Sequence, residues 1–569
     1  MIRASLRNRA LFAFIIAALA ASAPAQPPLT GAHERIRVPE EILERPLPLR
    51  DGIGKAHEDV TTISKDAQAY YDQGLAYLHS YVWIEAARSF HEALRLDAKL
   101  AMAQFGLSYA LAELGDSAGA KQASQRASAL AEPVSDREKA RIRLRALQFS
   151  DGSEPAKRRS NYLKEFDLIL AKYPHDVELA LLRGQADPQT PNQQTPNQQT
   201  PNQQTPNQQT PNQQTNDMPG MGVGEASLTF YERALAEQPN YFAVHHYLTH
   251  AYENVGRMDL ALKHAAEYAS LAPAVPHAHH MHGHILLRLN RTQEAIGEFR
   301  RADELALAYF RIENIAPEYD WQYHHNLDLL GVGYQYAGQM RQGDTVLRRS
   351  FELPSIEFSQ ELNESAWPTL LLLEGRTDQA QSAVKELMGR ADPVVQAVGH
   401  LMASRIVMQL GHPDDAIEHG DRALHLLREA PNGGVLLPEL ELVQGELLLR
   451  KGQSEKGRAM LSDGVSKLQA DPAADRWTQN LLRIEEVETL ARDLGDWALA
   501  GDVARQMQQF APSYAGTHYA LAKEAEHAGN AEAARHEYQT AITGWSAADA
   551  DLGALTDARH RLAALANPH

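Results

Sequence analysis

The 569-residue chain contains no cysteine. Disulfides, thiolate nucleophiles, thiolate metal ligands and lipid attachment through a cysteine are therefore excluded, and any metal must be held by His, Asp, Glu or water. Basic side chains are outnumbered, 55 against 73 acidic ones, for a formal charge of −18. That balance argues against nucleic acid or an anionic membrane as a general partner. Long apolar runs are missing beyond Ala10 to Ala21, which is too short to span a bilayer. Nor is there a glycine-rich phosphate loop, a dinucleotide fingerprint, a Gly-x-Ser-x-Gly elbow or a His-Glu-x-x-His motif. Nucleotide-dependent and serine-hydrolase chemistry have no visible seat.

Arg3, Arg7 and Arg9 precede the short apolar run, and the small-residue site Ala23-Pro24-Ala25 comes after it. This is the layout of a signal peptide over residues 1–25, which predicts an exported chain, periplasmic or secreted, with no membrane insertion after cleavage. Loss of three arginines and no acid would take the charge from −18 to −21. Residues 26–65 hold many prolines, as in Arg45-Pro46-Leu47-Pro48, and predict an extended arm lying on the helical array. Residues 187–224 contain five tandem copies of Thr-Pro-Asn-Gln-Gln. The copies, residues 190–214, have no apolar side chain to bury and a proline each, so the segment predicts a disordered insertion.

The rest repeats. Tyr81 to Gly115, Ala86 to Ala120, His246 to His280, Gly256 to Asn290 and Ala261 to Ala295 are each 34 residues apart, as are Gly495 and Gly529 near the end. That is the period of helix-turn-helix units stacked into a solenoid. Ala251-Tyr252 with Ala261, Ala295 with Phe299 and Ala302, and Phe230 with Ala234 and Pro239 place small residues and aromatics as the tetratricopeptide repeat (TPR) family does. The chain resembles that family over roughly residues 66–560. Turn glycines at 338, 375, 411 and 452 are spaced irregularly, so the later repeats are degenerate. The resemblance implies an all-α superhelix. Its parts are repeats over 66–186, the insertion, central repeats over 225–345, and degenerate repeats with a cap over 346–569. The stretch from Gly52 to Asp97 is further similar to a group of exported bacterial TPR proteins that also carry paired histidine helices.

Seven of the 25 histidines fall between positions 277 and 325. At about 100° per residue, His246, His250 and Glu253 share one helical stripe, and His277, His280 and His284 share another. The 34-residue offset puts both stripes on neighbouring helices facing the same way, and His325 and Asp328 occupy the corresponding slots of the next pair. The family resemblance implies that this stripe lines the concave groove. His245, His279 and His282 point away from it, and His264 lies on a second helix. Tyr247, Tyr252, Tyr319 and Tyr323 flank the stripe as packing residues, and His57 and His79 read as turn or cap contacts.

Imidazoles one turn apart can share an ion, and a carboxylate can complete its shell or orient a ring. His246, His250, Glu253, His277, His280, His284, His325 and Asp328 are therefore candidate ligands for a divalent transition metal: Zn, Cu, Fe, Ni or Mn. Three functions remain open. One is a binding protein whose groove takes a metal and a partner protein or peptide. Another is a metalloenzyme activating water or dioxygen, with Glu253 or Asp328 as general base. The third is a metal-free interaction scaffold whose histidines hydrogen-bond a peptide carboxylate or another anion.

Overall fold

The computed structural model describes residues 37–150, 155–186, 224–355, 358–430, 433–470 and 474–566. The expected signal peptide, the start of the arm and the Thr-Pro-Asn-Gln-Gln copies lie outside the described residues. Every extended regular element among the described residues is an α-helix, and successive helices pair antiparallel into a TPR-like solenoid. Six helices bear on the site and are numbered in chain order: α1 (Lys65–His79), α2 (Trp83–Leu96), α3 (Phe242–Asn254), α4 (Pro276–Arg288), α5 (Trp321–Tyr336) and α6 (Ala474–Asp493).

The 34-residue period has a physical basis in two recurring devices. The first is a small residue where paired helices touch: Ala86, Ala120, Ala261, Ala295 and Ala534 have no exposed surface. The second is a left-handed residue that ends the first helix of a pair. Gly115, Gly256 and Gly338 take this role with φ of 79°, 77° and 69°. The amide just past that residue then caps the last turn, as when Arg257 donates to the Tyr252 carbonyl at 2.8 Å. Asn290 fills the same slot with φ 57°, and so does Tyr81 with φ 59°. A tyrosine there costs about 1–2 kcal/mol, because its Cβ crowds the following carbonyl.

The superhelix winds tightly enough to meet itself. The turn between α1 and α2 lies against α3, and Gln479 of α6 donates to the Asp328 carboxylate of α5. Near the C-terminus, the Asp549 amide donates to the Gly338 carbonyl at 3.0 Å, so the helix pair around Trp545 rests on the turn after α5. The arm is packed as well, burying Val38, Leu43, Leu47 and Ile53. Its Gly52 carbonyl accepts from Ala274 at 2.8 Å. Gly54, at φ 87°, sits so close to Phe242 that no side chain fits.

Two departures from regularity matter. The helix Thr292–Glu313 runs 22 residues against 14 for Met258–Leu271, and the extra turns carry Glu313 to the first repeat. There it pairs with Arg88 at 2.9 Å and with Arg50. The helices on either side of the low-complexity insertion, Val177–Gln185 and Glu225–Glu237, pack directly together. Ser227 Oγ donates to the Gly184 carbonyl at 2.9 Å, and the absence of a side chain at Gly184 admits the Tyr231 ring.

Candidate metal centre

On α3, His246 and His250 are one turn apart. On α4, His277 opens the helix just after Pro276, whose fixed φ suits a first helical turn. These three imidazoles converge. The Nε2 atom of His246 lies 3.2 Å from His250 Nε2 and 3.0 Å from His277 Nε2. One potential ligand atom from each residue falls within 4.8 Å of the others, making this the one such His/Asp/Glu group among the described residues.

The tautomer of His246 is set by its surroundings. Its Nδ1 lies 2.6 Å from the backbone carbonyl oxygen of His79, which can only accept. Nδ1 therefore carries the proton, and in the neutral ring Nε2 presents its lone pair toward the other two imidazoles. Burial, followed by the neighbouring imidazoles, pushes His246 and His277 well below the usual histidine range, so both rings are neutral at pH 7. Tyr81 covers the group, with its ring centroid 4.5 Å from that of His246, 5.3 Å from His277 and 6.1 Å from His250. Tyr268 stacks on His246 at 4.8 Å.

The donors suit an ion. Two nitrogens at about 2.0–2.1 Å from one metal sit about 3.3 Å apart in a tetrahedral shell and about 2.9 Å apart in an octahedral one. The two separations from His246, 3.0 and 3.2 Å, fall between these values, and the ligand atoms of His250 and His277 lie within 4.8 Å of each other.

The other five candidates are placed elsewhere. Glu253 Oε1 lies 2.8 Å from His284 Nδ1 and 3.0 Å from Arg288. Burial alone would raise this carboxyl, but His284 and Arg288 outweigh it and bring it to about 2, making Glu253 a poor general base. His280 Nδ1 is 3.2 Å from Asn326 Oδ1, and its ring lies 4.9 Å from that of His325. Asp328 turns to Gln479. The eight candidates, more than one ion needs, therefore divide, because side chains from α5 and the ion pair on Glu253 hold the distal half of the stripe apart from the triad.

The stripe also differs from the expected open groove. His246, His277, His280 and His284 are at most 5% exposed. The tight superhelix is the reason, since it folds the first repeat over one end of the stripe and α6 over the other.

Two contributors were not assigned from sequence. His79 supplies the carbonyl that orients His246, and its own ring is fixed by Tyr247 at 2.9 Å and by Glu178 at 2.9 Å. Glu178 also accepts from Tyr241 at 2.6 Å. Burial opposes its charge, yet His79 and Arg141 hold it near a pKa of about 2. Tyr81 carried a signal that could have been used, a tyrosine in register with Gly115 at a turn that needs positive φ. The residues set aside pack on second helices: His245 lies 2.8 Å from His264, and Glu298 takes His279 at 2.7 Å and His282 at 3.1 Å.

Beside the triad is a partly enclosed cavity with room for about 110 Å³, whose wall includes His277, His280 and Tyr81. No helix among the described residues is long and apolar enough to cross a membrane.

No family model matches the chain, and no curated protein matches it. Among solved structures it is similar to YrrB, a TPR protein with an unusual peptide-binding site, at 15% identity over 36% of this chain and 95% of that one, with a TM-score of 0.26. It is also similar to a tetratricopeptide repeat protein from Parabacteroides merdae at 14% identity, over 50% and 99% of the two chains, with a TM-score of 0.31. The Cut9-Hcn1 hetero-tetramer of APC/C matches at 13% identity over 87% and 96%, with a TM-score of 0.28.

Proposed function

We propose that this chain is an exported TPR-type solenoid that binds one divalent transition metal through the Nε2 atoms of His246, His250 and His277. The observation that carries the reading is the His246 tautomer: a ring locked by the His79 carbonyl at 2.6 Å aims its one lone pair at two further imidazole nitrogens. Neutral, oriented imidazoles suit Zn, Cu(II), Fe(II), Ni or Mn. Three protein donors leave a coordination position for an outside ligand, which is the arrangement of sites that exchange or activate something rather than of closed structural sites. A protein or peptide partner, a common occupant of such solenoids, would meet other surfaces of the array, because the stripe is interior.

The test is elemental analysis of untagged protein, followed by titration of the stripped protein with each candidate ion. A near-stoichiometric ion is expected in the wild type and in His279→Ala, is retained by His284→Ala, and is lost from the His246→Ala/His277→Ala double variant. Absence of any ion after titration, or equal loss from all variants, would refute the triad.

A further inference from the structure

The cavity beside the triad has a composition of its own. Tyr81 and Trp83 enter it from the first repeat, their rings 4.9 Å apart. Tyr309, Tyr319 and Trp321 face in from the far side. Two carboxylate residues, Glu85 and Asp320, belong to the wall, and no lysine or arginine does. Arg88, which is paired with the wall residue Glu85, is itself outside the wall. Its Nε and Nη2 donate to the Arg45 and Pro46 carbonyls at 3.0 and 2.9 Å, while Nη1 serves Glu85 and Glu313. The side-chain amides in the wall are engaged with backbone: Gln322 donates to the Tyr81 carbonyl at 3.0 Å and Asn326 to the Phe299 carbonyl at 3.0 Å.

Ring faces present negative charge to whatever lies above them, whereas the charge of Glu85 is met by Arg88. An anion entering this chamber would find no lysine or arginine to receive it, and burial holds the His277 ring neutral. A neutral apolar molecule would gain burial alone, whereas an organic ammonium would gain burial and favourable electrostatics. At 110 Å³ the chamber is smaller than the apolar cavity of about 150 Å³ that accepts benzene, but it is only partly enclosed, so it has room for a trimethylammonium head while a short tail such as that of choline lies at its opening.

We propose that this aromatic chamber is a binding site for a small organic ammonium, of the tertiary or quaternary class. The site does not require the metal, so the two assignments fail separately. Residue Ile53 of the arm is part of its wall, so the packed arm helps close it.

The experiment is calorimetric titration of metal-stripped wild-type protein with three probes of similar shape: choline, the neutral alcohol in which carbon replaces its nitrogen, and pivalate. Choline is expected to bind at least about tenfold more tightly than the alcohol, as two or more ring faces would give, and pivalate not to bind. Trp83→Leu and Trp321→Leu, which keep apolar bulk and remove a ring face, are expected to shrink the choline preference while leaving the alcohol's affinity within about twofold. Choline binding no tighter than the alcohol, preferred binding of pivalate, or no binding by any probe would each overturn the proposal. Because the decisive comparison is among probes on the wild type, it does not depend on the variants folding.

Discussion

Replacing Tyr81 separates two opposed contributions at the point where the first repeat meets the histidines. Its backbone is left-handed at φ 59°, and its ring is buried against three imidazoles at 7% exposure. Removing a ring of this size from a packed interior costs about 3–5 kcal/mol. Giving the left-handed position to glycine recovers about 1–2 kcal/mol. Tyr81→Gly should therefore lose about 1–4 kcal/mol, and Tyr81→Ala, which keeps the backbone penalty, about 1–2 kcal/mol more. A solenoid opens locally, so the suitable assay is native-state hydrogen exchange, with opening free energies read from amides in Lys65–His79 and Trp83–Leu96. A glycine variant as stable as wild type would mean the ring contributes less than the strain it imposes. An alanine variant no worse than glycine would mean the backbone is not constrained as described.

Further outcomes rest on the same contacts. Saturating metal should stabilise the central repeats by about 2.7 kcal/mol at a free ion concentration of about 100 times Kd, measured as a chelator-reversible rise in the unfolding midpoint that His246→Ala lacks. Glu253 and Glu178, both held near a pKa of about 2, bind fewer protons in the fold than when unfolded. Their contribution is present above the ordinary carboxylate value and is lost as pH falls toward 2. Urea midpoints should drop over that range, and Glu253→Gln should flatten the drop; an unchanged slope would contradict the ion pair with His284 and Arg288. Gly54→Ala meets both a φ of 87° and the Phe242 ring, so limited proteolysis should release the arm in that variant while wild type resists.

The fold was legible because its determinants are local. Alanines at contact points and left-handed residues at turns recur at 34, and both can be read from residue types alone. The pairing of His246 with His250 was legible for the same reason, since one helical stripe places them together, but the 34-residue step matches His246 with His280, and the triad is instead completed by His277, one helical turn earlier on the same stripe. What sequence left out depends on contacts across the superhelix. The His79 carbonyl lies 167 positions before His246. Asp328 meets a side chain 151 positions after it. The extended helix ending at Glu313 reaches back to Arg88, 225 positions earlier. No periodicity encodes the pitch that makes these meetings occur, and that pitch turned an expected open groove into an interior.

The direct packing of Val177–Gln185 on Glu225–Glu237 has a genetic consequence. Both ends of the low-complexity tract are anchored to one another by helices that would stand in the same relation at any tract length. Lengthening the connection between two elements already packed together is thermodynamically cheap, about 0.6 kcal/mol per doubling. Gain or loss of five-residue copies therefore leaves the register between the first repeat and the histidine helices untouched. The histidine triad and the turn that covers it straddle a segment whose length the genome is free to change.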